Sequence, residues 1–290
     1  MLKKYQTIVS LKKFKALLSV LAVVVVVFLI FLAGALYCLI FLPTFKMNKV
    51  FVAGTRETDA LSIEAITMSL VQEKFFGKIP KDNLILFPQK KIIGAILGAF
   101  PEIKSVALTK KPFEHLAVIK IEERQASAIW CRVEAPESEQ VSSSSATQAV
   151  QASLPLAEYC FFVDSEGFIF KPAPILSGGA VPTVYDKTSQ DINLGSTVAN
   201  PERLKFILAV KKELAGVNMN LTDFIIASQT LGDLEILTPE GWRIMLDTNM
   251  SPSSQVNALK RVLQEKIKEK RAILEYVDLR VEDRVYYKYR

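Results

Sequence analysis

The sequence predicts an α+β protein with an N-terminal transmembrane helix, a compact β-α-α-β-β unit and a second, mostly antiparallel β domain with flanking helices. Three observations predict it. Residues 17–42 form a run of 26 residues without a charge. Apolar spacing over residues 50–123 switches between strand and helix periods in the order strand, helix, helix, strand, strand. The last stretch, EYVDLRVEDRVYYKYR, alternates apolar and charged residues with period two.

The uncharged run is long enough to cross a ~30 Å hydrocarbon layer, which needs about 20 helical residues. A cleaved signal peptide has an apolar core of about 7–15 residues ending at a small-residue cleavage site. Here Ala33-Gly34-Ala35 lies inside a longer core, so the run is expected to stay as an anchor. Tyr37 falls near its outer end, where interfacial aromatics are common. Residues 1–16 carry Lys3, Lys4, Lys12, Lys13 and Lys15 and no acid. Those five account for most of the net charge of +6, leaving the rest of the chain near +1. Basic residues beside an apolar run are retained inside. The expectation is a cytoplasmic tail at 1–16, a membrane span at 17–42 and an exported bulk, a type II single-pass protein of the cytoplasmic membrane. The near-neutral bulk argues against nucleic acid, whose footprint is a basic patch on a folded domain.

The first exported unit is read over residues 47–124. Val50 and Val52 alternate with Phe51 in a strand ended by Gly54. Thr58 or Asp59 can cap a helix whose Ile63, Ile66 and Leu70 recur at helical spacing as far as Lys74. Residues 77–83 read as a loop. Pro88 opens a second helix with Ile92, Ile93, Ile96, Leu97 and Phe100 as its stripe, and Pro101 stops it. Strands follow at 103–109 and 115–123, joined through Lys110-Lys111-Pro112. Such an order buries two helices on one face of a three-stranded sheet.

The second region, 125–290, opens on Ala128-Ile129-Trp130. Residues 134–153, EAPESEQVSSSSATQAVQAS, lack aromatics and bury too little apolar area to offset ordering entropy. They read as a disordered insertion between two paired strands, or alternatively as an interdomain linker. Residues 160–170 form a hairpin around Asp164-Ser165-Glu166-Gly167. Gly178-Gly179 and residues 191–195 mark further loops. A helix is expected over 201–214 with Leu204, Ile207, Leu208 and Lys211 on or beside one stripe, then a strand over 222–228. Residues 234–237 and 242–246 flank a Thr238-Pro239-Glu240-Gly241 turn. A long amphipathic helix is expected over 253–271, with Val256, Leu259, Leu263 and Ile267 as its seam. Its lysines read as a solvated face, with a surface for acidic lipid as the competing reading. The closing run would make an unusually long strand, so a bend is expected near Glu282-Asp283.

Cys38 lies in the span. Cys131 and Cys160 lie in the exported region, where disulfides persist. A bond between them would close a loop of about 30 residues and add ~3–4 kcal/mol; the competing reading is two free, half-buried thiols.

Several of these segments together resemble the FtsQ/DivIB family of bacterial cell-division proteins. The first unit resembles that family's POTRA domain through Val50 to Gly54, Pro101-x-Ile103-x-x-Val106, the Lys111-Pro112 turn with Leu116 after it, and Glu123-Arg124 at the close of the last strand. Gln125-Ala126 departs from the proline that the family often places after the arginine. The stretch from Phe162 to Phe168 resembles the family's F-V-D-x-x-G segment, and residues 276–290 resemble its closing I-D-L-R-x-x-x-R-V-Y-Y-K strand. The resemblance implies a non-enzymatic scaffold at the division septum. It would bind other single-span division proteins of FtsB and FtsL type by strand addition and help regulate septal peptidoglycan synthesis. The implied contact residues are Val285, Tyr286, Tyr287, Lys288, Tyr289 and Arg290, with Trp242 nearby and the region around Val50 to Gly54 as a second recruiting surface. For Tyr286, Tyr287 and Tyr289 the competing reading is core or edge packing.

The residues themselves carry no enzyme signal. His115 is the one histidine, which leaves no histidine triad or multi-histidine metal site. No cysteines have C-x-x-C spacing. Glu122 and Glu123 point to opposite faces of a strand. No catalytic residue, metal ligand, cofactor site or small-molecule substrate is expected. Two other classes stay in view. A POTRA-bearing component of a transport or outer-membrane assembly system would carry several such units and a series of barrel strands. A wall-modifying enzyme would need an atypical site.

Overall fold

The computed structural model describes residues 20–38, 46–72, 74–75, 79–80, 83, 87–133, 157–175, 180–188, 191–226 and 233–290. The protein is mixed α+β, with one apolar N-terminal helix and a large sheet. Two compact units divide it, Met1–Glu123 and Arg124–Arg290.

Helix α1 runs Val20–Cys38, 19 residues with none of its apolar face buried in the protein. At about 1.5 Å per residue it is ~28 Å long, close to the thickness of a hydrocarbon layer. By length and composition it can span a membrane. The remaining residues of the expected span, and the basic tail, lie outside the described residues.

The rest of the first unit runs β1 (Lys49–Ala53), α2 (Ala60–Gln72), β2 (Lys74–Phe75), β3 (Ile79–Pro80), α3 (Gln89–Ala99), β4 (Ile103–Lys111) and β5 (Leu116–Glu123). Its sheet has the order β1-β5-β4, with β1 parallel and β4 antiparallel to the central β5. Ile63 and Val71 of α2, Ile92 and Ile96 of α3, and Ala117, Ile119 and Ile121 of β5 share one core. Gly54 ends β1 at φ +93°, and a Cβ there would lie 2.2 Å from the Ile121 carbonyl oxygen. Only glycine allows that approach.

Three expectations for this unit change. The α2 seam is Ile63, Thr67 and Val71 rather than Ile63, Ile66 and Leu70, which flank it. Thr67 fits because its hydroxyl donates to the Ile63 carbonyl at 2.8 Å. The helix stops at Gln72, and Lys74–Phe75 instead pairs with Ile79–Pro80 inside the segment read as a loop. In α3 the buried row is Ile92 and Ile96, with Phe100 packed behind them, while Leu97 is exposed. A flat sheet meets one i, i+4, i+8 ridge, and Leu97 is turned about 100° away from it.

The second unit runs β6 (Ala128–Val133), β7 (Ala157–Val163), β8 (Ile169–Ala173), β9 (Thr183–Asp186), α4 (Pro201–Gly216), β10 (Asp223–Ile226), β11 (Asp233–Leu237), β12 (Arg243–Asp247), α5 (Pro252–Val262), β13 (Leu274–Val281) and β14 (Arg284–Tyr289). Its nine strands join one sheet, in the order β14-β13-β12-β11-β10-β9-β6-β7-β8. The hairpins are antiparallel. The pairs β9/β10 and β12/β13 are parallel because α4 and α5 carry the chain back across the sheet between them. Asn200 caps α4 by accepting from the Arg203 N–H at 3.1 Å. The buried face of α4 is Leu204, Phe206, Ile207, Val210 and Leu214. Leu208 is only partly covered, and Lys211 reaches the rim to donate to the Ala180 carbonyl at 2.7 Å.

Residues 134–156, which include the expected disordered insertion, lie outside the described residues, as does Gly178-Gly179. The strands on either side, β6 and β7, pair with each other, so the segment joins neighbours in one sheet and does not link two domains. The expected helix over 253–271 is not one regular helix. After Val262 the chain makes a wide turn over Leu263–Ile267 and a tight one over Lys268–Ile273, with Lys268 at φ +48°. This keeps Ile267 buried while the chain drops into β13. The closing run does not merely bend. It reverses at Glu282-Asp283, with Asp283 at φ +59°, and β14 folds back antiparallel on β13. Aspartate tolerates the left-handed backbone that such a tight reversal requires.

Candidate functional site

Strand β14, RVYYKY, ends the nine-stranded sheet, and among the described residues no strand pairs with its outer side. Its inner side is fixed by the ladder to β13: Tyr276 faces Lys288, Val277 faces Tyr287 and Asp278 faces Tyr286. Beyond the ladder, the Arg290 N–H donates to the Ile273 carbonyl at 2.9 Å. Main-chain groups alternate sides along a strand. With Arg290 turned inward, the N–H groups of Tyr289 and Tyr287 face outward.

The side chains divide by face. Val285 and Tyr289 pack partly against the core under α5. Tyr287 stacks edge-to-face on Tyr289 at 5.6 Å between centroids, and the Lys270 ammonium lies 5.8 Å from the Tyr289 ring. Tyr286 and Tyr287 stay exposed. Lys288 pairs with Glu275 across the strands at 2.8 Å, and this hydrogen bond holds its pKa above the ordinary lysine value. Arg290 donates to the Gly241 carbonyl. One strand inward, Arg280 bridges Asp278 at 2.8 Å and Asp233 at 3.2 Å. Its hydrogen bonds hold the Asp278 carboxyl below the usual range. The edge is thus pinned on its inner side and presents tyrosines and main-chain donors on its outer side.

Trp242 does not belong to this surface. It is fully buried in the main core. Its ring N–H donates to Glu240 at 2.9 Å, and the Arg271 guanidinium sits 5.5 Å from the ring. Strand β12, which follows it, has β11 on one side and β13 on the other, so residues 242–246 cannot accept an added strand. Strand β13, which runs up to the reversal at Asp283, is the one that covers them.

The opposite end of the sheet is unlike β14. Strand β8 reads IFKPA, and Pro172 removes an N–H from its ladder. Proline on an edge blunts strand addition. In the first unit, among the described residues, β1 is an edge strand paired only with β5, and its Phe51 is exposed.

Cys131 and Cys160 face each other directly across β6 and β7, with Cα atoms 4.0 Å apart, and are joined by a disulfide in a small buried cluster. Asp164 is structural: it accepts from the Glu166 and Phe168 N–H groups and pairs with Arg124, whose guanidinium lies 3.8 Å from the Phe168 ring centroid. His115 occupies the turn before β5 at φ +52°, and its Nδ1 donates to the Lys46 carbonyl at 2.9 Å. Among the described residues no three His, Cys, Asp or Glu side chains converge as a metal-ligand set.

Two features carry no sequence signal strong enough to single them out. Glu123 accepts from the N–H groups of Arg56, Glu57 and Thr58 at 2.9–3.3 Å. Phe113 stands almost wholly exposed at the β4–β5 turn. The Lys-Lys-Pro-Phe string is the one hint for Phe113, since an aromatic beside a turn proline has no strand face to fill.

No family model matches the chain, and no curated protein is significantly similar to it in sequence.

Proposed function

We propose that the chain is a membrane-anchored scaffold of FtsQ/DivIB type that recruits other single-span division proteins by strand addition to β14. The observation that carries this reading is the free edge of the large sheet. It is six residues long, free of proline, rich in β-forming tyrosine, and fixed on its inner side. An incoming strand would gain main-chain hydrogen bonds there, and the exposed Tyr286 and Tyr287 would select its side chains. The β-α-α-β-β order of the first unit, with β5 central in its sheet, supports a POTRA-type reading of that unit and makes the β1 edge a second recruiting surface. The apolar helix α1 supplies the anchor, with the bulk of the chain exported and acting at the septum. The scaffold positions and regulates wall synthesis without catalysing it.

The test separates main chain from side chain. Tyr287→Pro removes an outward N–H from an edge, where proline is tolerated, and Tyr287→Ala removes only the ring. Capture of FtsB- and FtsL-type proteins by the full-length chain is expected to survive the alanine variant in large part and to be lost with the proline. Equal capture by both variants overturns strand addition at β14.

A further inference from the structure

The β4–β5 turn places an exposed aromatic and a cluster of lysines beside residues 46–49, shortly after the uncharged run in sequence. Phe113 is 89% exposed at the tip of the turn Pro112–Glu114. The tip is tied to the chain that follows the uncharged run. His115 Nδ1 holds the Lys46 carbonyl at 2.9 Å, and the His115 carbonyl accepts from the Asn48 and Lys49 N–H groups at 3.0 and 3.3 Å. Lys46 lies four positions after Leu42, the last residue of that run, at most about 14 Å of chain.

Lysines gather toward the same turn. The strand register puts Lys49 and Lys111 at the Phe113 end, on either side of Leu116. Gln89 donates to the Leu108 carbonyl, which brings the start of α3, with Lys90 and Lys91 exposed, to that end as well. Glu114, the acid in the turn, is paired with Lys111 at 3.1 Å. The far end of the sheet, where β5 finishes beside Ile103, is mixed: Glu57, Glu102, Glu122 and Glu123 lie there with Arg56 and Lys104.

We propose that the Phe113 tip and the lysines around it form a second membrane contact, seated on the surface of an anionic bilayer. An aromatic ring at a turn tip suits the headgroup boundary, where such rings concentrate. The surrounding lysines suit acidic lipid, to which each adds attraction within a screening length. The tether keeps the tip at the bilayer, so this contact adds no search for the surface and acts at high effective concentration. The inference rests on the reading of α1 as a membrane span.

Full-length Phe113→Trp chain in vesicles of equal parts phosphatidylcholine and phosphatidylglycerol, with brominated acyl chains, tests it. The native Trp130 and Trp242 are buried, so the added emission reports the tip. Strong quenching of that emission is expected, weakened by salt and by replacing the phosphatidylglycerol with phosphatidylcholine. Adding Lys90→Glu and Lys111→Glu is expected to lower the equilibrium constant for surface contact by more than about thirtyfold, the effect of losing two lysines alone. Flotation after an alkaline wash reads α1 independently. A chain that floats without quenching overturns the surface contact and leaves the span standing. Quenching that ignores both lipid charge and the lysine reversals overturns the anionic preference. A chain washed off the vesicles overturns the span and this contact with it.

Discussion

Glu123 closes β5 and gathers the loop that leads into α2. Burial alone would raise its pKa, but the N–H groups of Thr58, Arg56 and Glu57 outweigh that and hold it below the ordinary glutamate value. A depressed folded pKa means that the unfolded chain takes up the proton first. The stabilisation is therefore complete above the unfolded carboxyl range and is lost as pH falls through the folded value. Glu123→Gln keeps the shape and removes the charge that strengthens these bonds. It is expected to cost about 1 kcal/mol at neutral pH, allowing for water access, and to flatten the acid dependence of the first unit. Hydrogen exchange at β5 amides in the full chain, at neutral and acid pH, reads this directly. Identical acid sensitivity in both proteins contradicts it. Nothing in the sequence marks Glu123 over Glu122, because the difference is three N–H groups brought from some 65 residues away.

The elements of the second unit were legible in kind more than in arrangement. Hairpins with Asp, Gly or Pro in their turns announce themselves, as at Asp164 to Gly167 and Thr238 to Gly241. The reversal at Glu282-Asp283 shows only as a break in the period-two pattern at Asp283, enough to expect a bend but not a hairpin, because it uses neither glycine nor proline. That one turn decides the candidate site. It makes β14 the edge and covers β13, which would otherwise be the end of the sheet. The wide turn after α5 was equally hidden, since Leu263 and Ile267 keep helical spacing on both sides of it. The disulfide acts at the same scale. It staples β6 to β7 at the base of a long connection, with the two cysteines 29 positions apart in sequence. A Cys131→Ser, Cys160→Ser chain is expected to lose about 3 kcal/mol in the second unit. Denaturant unfolding followed by Trp130 and Trp242 emission checks the loss. Reduction of the parent protein should add two hydrogens to its intact mass, and an unchanged mass contradicts the bond.

At the scale of the molecule the sequence was most informative where a pattern is local and long. The uncharged run and the β-α-α-β-β order are of that kind, and the corresponding α1 and three-stranded sheet follow them closely. The nine-strand order is not local. It depends on two crossover helices that return the chain in parallel and on a closing hairpin, all of which join residues far apart in sequence. What results is a chain with an apolar helix near one end and, on the last strand, an edge open to pairing. On our reading these two features make the protein a fixed point at the membrane to which partners add strands. The most direct test is the position of a fluorescent fusion of the full chain in dividing bacterial cells. A band at midcell during constriction, lost with Tyr287→Pro or replaced by a weaker one, is the predicted result. An even membrane signal throughout the cell cycle, with no midcell band, contradicts the account.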